Sequence, residues 1–170
     1  MLIPWEIVFE DSEEARNLLD KLLEAAAGDP LIMSEMIRGG LHEDTQIKIQ
    51  AVSMVERVTR VRPLFLALYK RVLLNEFSQM DQPEIRQQVA VLYSRVMWDE
   101  WEMKQVVALL SQWISMEENE YVVRSSIESL RKLVMQKKWI FSEYVECLKK
   151  AVEHPNCSIR DLANELILSD

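Results

Sequence analysis

Four bases recur at nearly constant spacing. Lys48, Arg86, Arg124 and Arg160 are separated by 38, 38 and 36 residues. Each follows an apolar residue: Ile47, Ile85, Val123 and Ile159. Three residues after each base stands Ala51, Val89, Ile127 or Ala163, and six after stands Met54, Leu92, Leu130 or Leu166. Ten after, in the first three, is Val58, Val96 or Val134. Positions −1, +3, +6 and +10 make one stripe of a helix with about 3.6 residues per turn. A stripe repeated in phase at this period constrains the chain to stack copies of one helical unit.

Each of these helices, the A helix of its unit, has a start signal in front of it. Asp44 and Thr45 precede Lys48, Asp81 and Pro83 precede Arg86, Asn119 and Glu120 precede Arg124, and Pro155 and Asn156 precede Arg160. These are cap residues and first-turn prolines. A second helix, B, is expected to start near Pro63, Trp101 and Trp139, each 15 residues after its unit's base. Its buried face is read from the alignment of Phe65 with Met103 and Phe141, Leu68 with Val106 and Tyr144, Tyr69 with Val107 and Val145, and Val72 with Leu110 and Leu148. The unit is therefore helix A, short turn, helix B, short turn.

Residues 1–42 read as a degenerate copy. Asp11, Ser12 and Glu14 cap a helix from about Glu13 to Ala27, Gly28 ends it, Asp29-Pro30 opens a second to about Arg38, and Gly39-Gly40 stops that one. Full units are expected over 43–80, 81–118 and 119–154, with a terminal helix in 155–170. That helix is expected to turn polar residues outward: Arg160, Asp161, Asn164, Glu165 and Ser169. A single domain spans 1–170. Only three glycines and five prolines occur, which excludes an all-β fold that needs turn residues every few positions.

The apolar-Arg pair early in helix A of a unit near 38 residues resembles the HEAT repeat. DQPEIRQQVA is the nearest match, PNCSIRDLA and NEYVVRSSI follow it, and TQIKIQA has Lys in place of Arg. The resemblance covers about residues 42–168. It implies an all-α fold, a right-handed α-α superhelix (solenoid) of helical hairpins, with the B helices on its concave wall. It does not imply one function, because members of the family scaffold different partners. In such a stack the ladder Lys48, Arg86, Arg124, Arg160 is expected to be structural. It would tie successive units through turn carbonyls and acids such as Asp44, Asp81, Glu84 and Glu120.

Chemistry-bearing motifs are scarce. His42 and His154 both lie six residues before a ladder base, which favours a role in the turns. Cys147, His154 and Cys157 offer a metal no fourth ligand. Neither cysteine has an activating base beside it in sequence. There is no phosphate loop and no nucleophile-elbow, zinc-protease or kinase signature. No catalytic residue, cofactor or metal is assigned. The chain carries a net charge of −8. Residues 1–44, with eleven acids against three bases, account for all of it. That balance disfavours a phosphate backbone as ligand. No apolar run approaches the roughly 20 residues of a membrane span, the N-terminus has no leader pattern, and the cysteines fit a reducing compartment, so a cytoplasmic protein is expected.

What remains is surface. Trp101 and Trp139 occupy equivalent A–B turns, where they either staple the two helices or stand out as anchors for a partner. Lys70, Arg71, Lys104, Lys149 and Lys150 form a loose basic strip on the B helices, either a solvated face or a groove for an acidic segment. The expected function is a non-catalytic protein or peptide-binding scaffold or adaptor. Two alternatives implied by the resemblance are a nucleic-acid-binding or DNA-repair protein and a lyase or chaperone acting on a cofactor-bearing protein. Self-association of the acidic end with the basic strip of another copy is a further expectation.

Overall fold

A computed structural model describes residues 3–8 and 10–169, and these are helical with no strand among them. The α-helices in chain order are α1 Trp5–Val8, α2 Glu13–Ala26, α3 Pro30–Gly39, α4 Thr45–Val61, α5 Lys70–Asn75, α6 Pro83–Tyr93, α7 Glu100–Met116, α8 Glu120–Gln136, α9 Ile140–Ala151 and α10 Cys157–Ser169. Two 3-10 segments, Pro63–Tyr69 and Phe77–Gln79, flank α5. No helix among the described residues is long and apolar enough to cross a membrane.

Local chemistry sets where the helices begin. Ser12 Oγ accepts from the Ala15 amide at 3.0 Å, and Asp29 accepts from Leu31 at 2.8 Å. Asp44 takes two amides, those of Gln46 and Ile47, and Asn119 takes those of Tyr121 and Val122. Asn156 accepts from Ser158 at 2.8 Å. Asp99 and Glu102 close a reciprocal capping box on α7. Such caps contribute about 1 kcal/mol each. Asp81 does not cap α6. Gln82 holds the cap position with no side-chain bond, and Pro83, whose ring presets φ, opens the helix.

The A-helix stripe is the core. Ile85, Val123, Ile159, Ala51, Val89, Ile127, Ala163, Met54, Leu92 and Leu130 are all buried, and Ile47 and Val134 are half-buried at its margins. On the B helices the register differs from the sequence alignment. Leu66, Met103 and Ile140 are fully buried, as are Leu73 with Leu110, and Phe77 beside Ile114. Phe141 and Leu68 are exposed, and Phe65 is half-buried. The B face therefore repeats every 37 residues rather than 38, so that Cys147 stands at the place of Leu73 and Leu110. The same 37-residue step separates α7 from α9, which have no 3-10 start, so the difference from the 38-residue ladder lies in the connections from helix A to helix B and not in the 3-10 winding at Pro63–Tyr69.

Each helix packs on its neighbours along the row. α4 lies on α6, α6 on α8 and α8 on α10, while α5 lies on α7 and α7 on α9. α8 touches α6, α7, α9 and α10 together, and its buried Ser125, Ser126 and Ser129 are small enough to allow that. Between α6 and α7 lies an aromatic knot. Tyr93 is edge-on to Trp98 at 5.8 Å and stacked with Trp113 at 6.1 Å. Its hydroxyl donates to Leu73 O at 3.0 Å, and Trp98 Nε1 donates to Tyr93 O at 2.8 Å. Burial pushes the Tyr93 phenol far above its ordinary value, so it stays a donor.

Gly39 and Gly40 act by close approach. Gly40 caps α3 in ordinary right-handed geometry, and no described residue has positive φ. A Cβ on Gly39 would stand 2.4 Å from the Trp5 ring and 2.9 Å from Ala51 Cβ, and one on Gly40 would stand 2.6 Å from Phe77 Cζ. Outward on α10, Asp161, Asn164, Glu165 and Ser169 are exposed as expected, but so are Ile167 and Leu168, while Arg160 is half-buried.

Candidate interaction surface

The turns between units, from each B helix to the next A helix, carry the ladder bases. Arg86 Nε donates to Met80 O at 2.8 Å, and its guanidinium pairs with Glu117 across the next turn and lies 6.0 Å from the Trp113 ring. Arg124 Nη2 reaches Ser158 Oγ at 3.2 Å. Arg160 Nη1 donates to His154 O and Pro155 O at 2.8 and 2.7 Å. Lys48 is half-buried and makes no ion pair among the described residues. The carbonyls are those of the turns, but the acids differ from expectation. Glu117 holds Arg86, Glu120 accepts from Asn156, Asp44 caps α4, and Asp81 and Glu84 are exposed. Arg86→Ala is expected to lower stability by about 2 kcal/mol, because a charge-assisted bond is lost and Glu117 is left without its partner. Arg124→Ala, with one long bond to lose, should cost about 1 kcal/mol or less. Thermal melts of the two variants check both the order and the size.

His42 and His154 do the same work. Each accepts, through Nδ1, the amide two residues ahead, Asp44 at 3.0 Å and Asn156 at 3.1 Å. His154 Nε2 also lies 3.2 Å from Glu117 O. With Nδ1 an acceptor, Nε2 carries the proton and donates to that carbonyl. Cys147 is buried in α9, where burial pushes its thiol up, and Cys157 is exposed at the start of α10. Among the described residues no group of three His, Cys, Asp or Glu is placed to hold a metal.

The other row of turns, joining A to B within each unit, is built differently. Its polar ties lie underneath. Arg95 pairs with buried Glu56 at 2.5 Å and donates to Glu56 O and Thr59 Oγ1. Arg60 closes on the same carboxylate at 2.7 Å. Burial alone would raise the Glu56 pKa, but the Arg60 and Arg95 hydrogen bonds and charges outweigh it and hold the carboxyl below its ordinary value. Further along, Gln136 Nε2 donates to Ser94 O at 3.4 Å and Lys137 faces Glu100 at 3.8 Å. Sequence reading passed over Glu56 and Arg95, because Glu56 with Arg60 four residues on looks like an ordinary exposed helix pair.

Above these ties the turns present large apolar side chains to water. Leu64 is 82% exposed in the first, with Val61 and Leu68 beside it. Met97 and Trp101, at 71% and 73%, stand out in the second, and Met135 at 87% and Trp139 at 39% in the third. The ties from turn to turn hold the three turns side by side. Trp98 and Trp113, by contrast, are buried in the aromatic knot.

The B-helix strip is weaker than its sequence suggests. Lys70 is tied to Glu102 at 2.8 Å and lies over the Trp98 ring at 5.5 Å, so it belongs to the packing of α5 on α7. Lys149 pairs with Glu146 at 2.7 Å within α9. Arg71, Lys104 and Lys150 are exposed. Residue separation is the reason. Lys70, Lys104 and Lys149 stand four, one and nine residues after the equivalent buried positions Leu66, Met103 and Ile140, so they do not align across units.

Compared with protein-family models, with curated proteins and with solved structures, the chain shows no match.

Proposed function

We propose that this chain is a non-catalytic protein-binding scaffold, a right-handed solenoid of HEAT-like helical hairpins that holds its partner along the A–B turn edge. One observation carries the binding surface: three successive turns each expose large apolar side chains over a polar tie that fixes their backbone. Scattered exposed apolar residues need no explanation, but a contiguous row of them marks an interaction surface. Tryptophan and methionine are enriched in the buried centres of interfaces. Rigid anchors lose little entropy on binding. The order of helix packing, each against its neighbours, supports the solenoid.

Leu64→Glu, Met97→Glu and Trp101→Glu combined should leave the fold intact, because all three side chains face water. Affinity purification with quantitative mass spectrometry compares this variant with the wild type. The expected result is a nuclease-insensitive set of proteins recovered with the wild type and lost with the variant. Recovery of the same set by both would remove the turn edge from the reading.

A further inference from the structure

The polar bonds that hold α10 gather at its N-terminal end. Beside its C-terminal half lies an open cavity of about 880 Å³, with Val134 and Met135 of α8 facing Leu162 and Leu166 of α10 across it. At the other end, Asn156 Nδ2 donates to Glu120 at 2.9 Å, Arg124 reaches Ser158 at 3.2 Å, and Arg160 donates to His154 O and Pro155 O. His154 stands among these bonds and joins two turns. Its Nε2 lies 3.2 Å from Glu117 O, in the turn from α7 to α8. Its Nδ1 lies 3.1 Å from the Asn156 amide, just before α10.

The Nδ1 bond fixes the state of the ring. A backbone amide can only donate, so Nδ1 is the unprotonated nitrogen and Nε2 carries the one proton. An imidazolium has N–H at both nitrogens. Its Nδ1–H would point at the Asn156 N–H, and that amide would lose its acceptor in a half-buried turn. Every element packed there brings charge. The α7–α8 turn brings Glu117, whose carboxylate is bonded to Arg86, and Glu118. α8 brings Glu120, bonded to Asn156, and Arg124. The end of α9 brings Lys150 and Glu153, and α10 brings Arg160, whose guanidinium lies on the carbonyl of His154 itself. Acids and bases are evenly matched, so no excess of negative charge favours an imidazolium and the hydrogen bond decides.

We infer that His154 is a pH-sensitive latch: α10 is docked while the imidazole is neutral and is released when the ring takes up a second proton. The released turn binds a proton that the docked turn refuses, so docking weakens as pH falls. Imidazoles change charge between about pH 5 and 8, above the carboxylate value of about 4.3 below which Glu56 loses its contribution. Release would bare Ile159, Ala163 and Leu166, the buried face of α10. His42 supplies an internal comparison. Its Nδ1 accepts the Asp44 amide at 3.0 Å in the same way, but ring and amide are both exposed, so water replaces the lost acceptor.

Hydrogen exchange of the amides from Ile159 to Leu166 in the full chain, corrected for the intrinsic effect of pH, tests the latch between about pH 8 and about pH 5.5. Opening of α10 is expected to rise about fivefold in the wild type and equally in His42→Asn. In His154→Asn a side-chain oxygen that does not titrate takes the Nδ1 place, as in an ordinary Asx turn, and the rise should vanish. Nitrogen NMR of the wild-type ring gives a reading that needs no variant. The proton should sit on Nε2 at about pH 8, and uptake of the second proton should share its midpoint with the rise in exchange. No rise in the wild type, a rise that persists in His154→Asn, or a proton on Nδ1 in the docked chain each overturns the latch. Should His154→Asn be open at both pH values, the two wild-type midpoints decide: coincidence supports the latch and separation overturns it.

Discussion

Arg95→Ala loses about 3 kcal/mol of stability, a fall in thermal midpoint of roughly 6–12 °C for a chain of this size. The side chain it removes faces a carboxylate that is 6% exposed. Glu56 could not keep its charge there without cations, since an unpaired buried charge costs several kcal/mol. Arg60 stays behind after the substitution, which holds the loss to the lower end of what breaking a buried pair costs. Arg60→Ala, by contrast, deletes a side chain that is 65% exposed, and about 1 kcal/mol or less is expected. The same cluster sets an acid limit. Because the folded pKa of Glu56 is lowered, its contribution is fully present above the unfolded carboxylate value of about 4.3. It fades as pH falls below that value toward the folded one. The gap in stability between wild type and Arg95→Ala should therefore shrink on acidification, and melts across that window measure it. An unchanged gap, or equal losses for Arg95→Ala and Arg60→Ala, would mean that the pair is not what joins α4 to the turn after α6.

Phe77→Ala should cost more, about 3–5 kcal/mol. Its ring is fully buried and lies against Gly40, so it joins the first helices to the unit that follows. The same contact makes a reciprocal prediction. Gly40→Ala places a Cβ 2.6 Å from the ring and should destabilise the wild type by about 1–3 kcal/mol. In the Phe77→Ala background the ring is gone and the Ile37 carbonyl, 3.2 Å from that Cβ, is the contact left, so the second substitution should cost much less. A double-mutant cycle reads the coupling directly. Additive losses would show that the two residues do not touch in solution.

The A helices were legible because their signals are local. Asp44, Asn119 and Asn156 bond to amides two or three residues away, and the stripe from Ile85 to Leu92 needs only the helical period. The B register was not, because the B helices step by 37 residues, as Met103 to Ile140 and Leu110 to Cys147 show, while the ladder steps by 38, and the length of the connection from A to B sets that difference. The glycine pair was read as a stop, and α3 does end there, but its close contacts were not legible. A stop signal and a contact with Trp5 or Phe77 look alike in one dimension. Trp101 and Trp139 could be placed at turns from spacing, but their exposure depends on how the turns stack.

The ties between units are also measures of chain length. Arg62 to Ala27 closes 35 residues, Arg95 to Glu56 closes 39, Gln136 to Ser94 closes 42, and His154 to Glu117 closes 37. Loop-closure entropy grows only with the logarithm of loop length, so these closures cost nearly the same. No join along the row is the slow one on that account. In the proposed solenoid any two adjacent units can serve as the nucleus, and the rest add on either side like successive teeth of a zip. Folding speed should then depend on how quickly one pair forms and not on the length of the array.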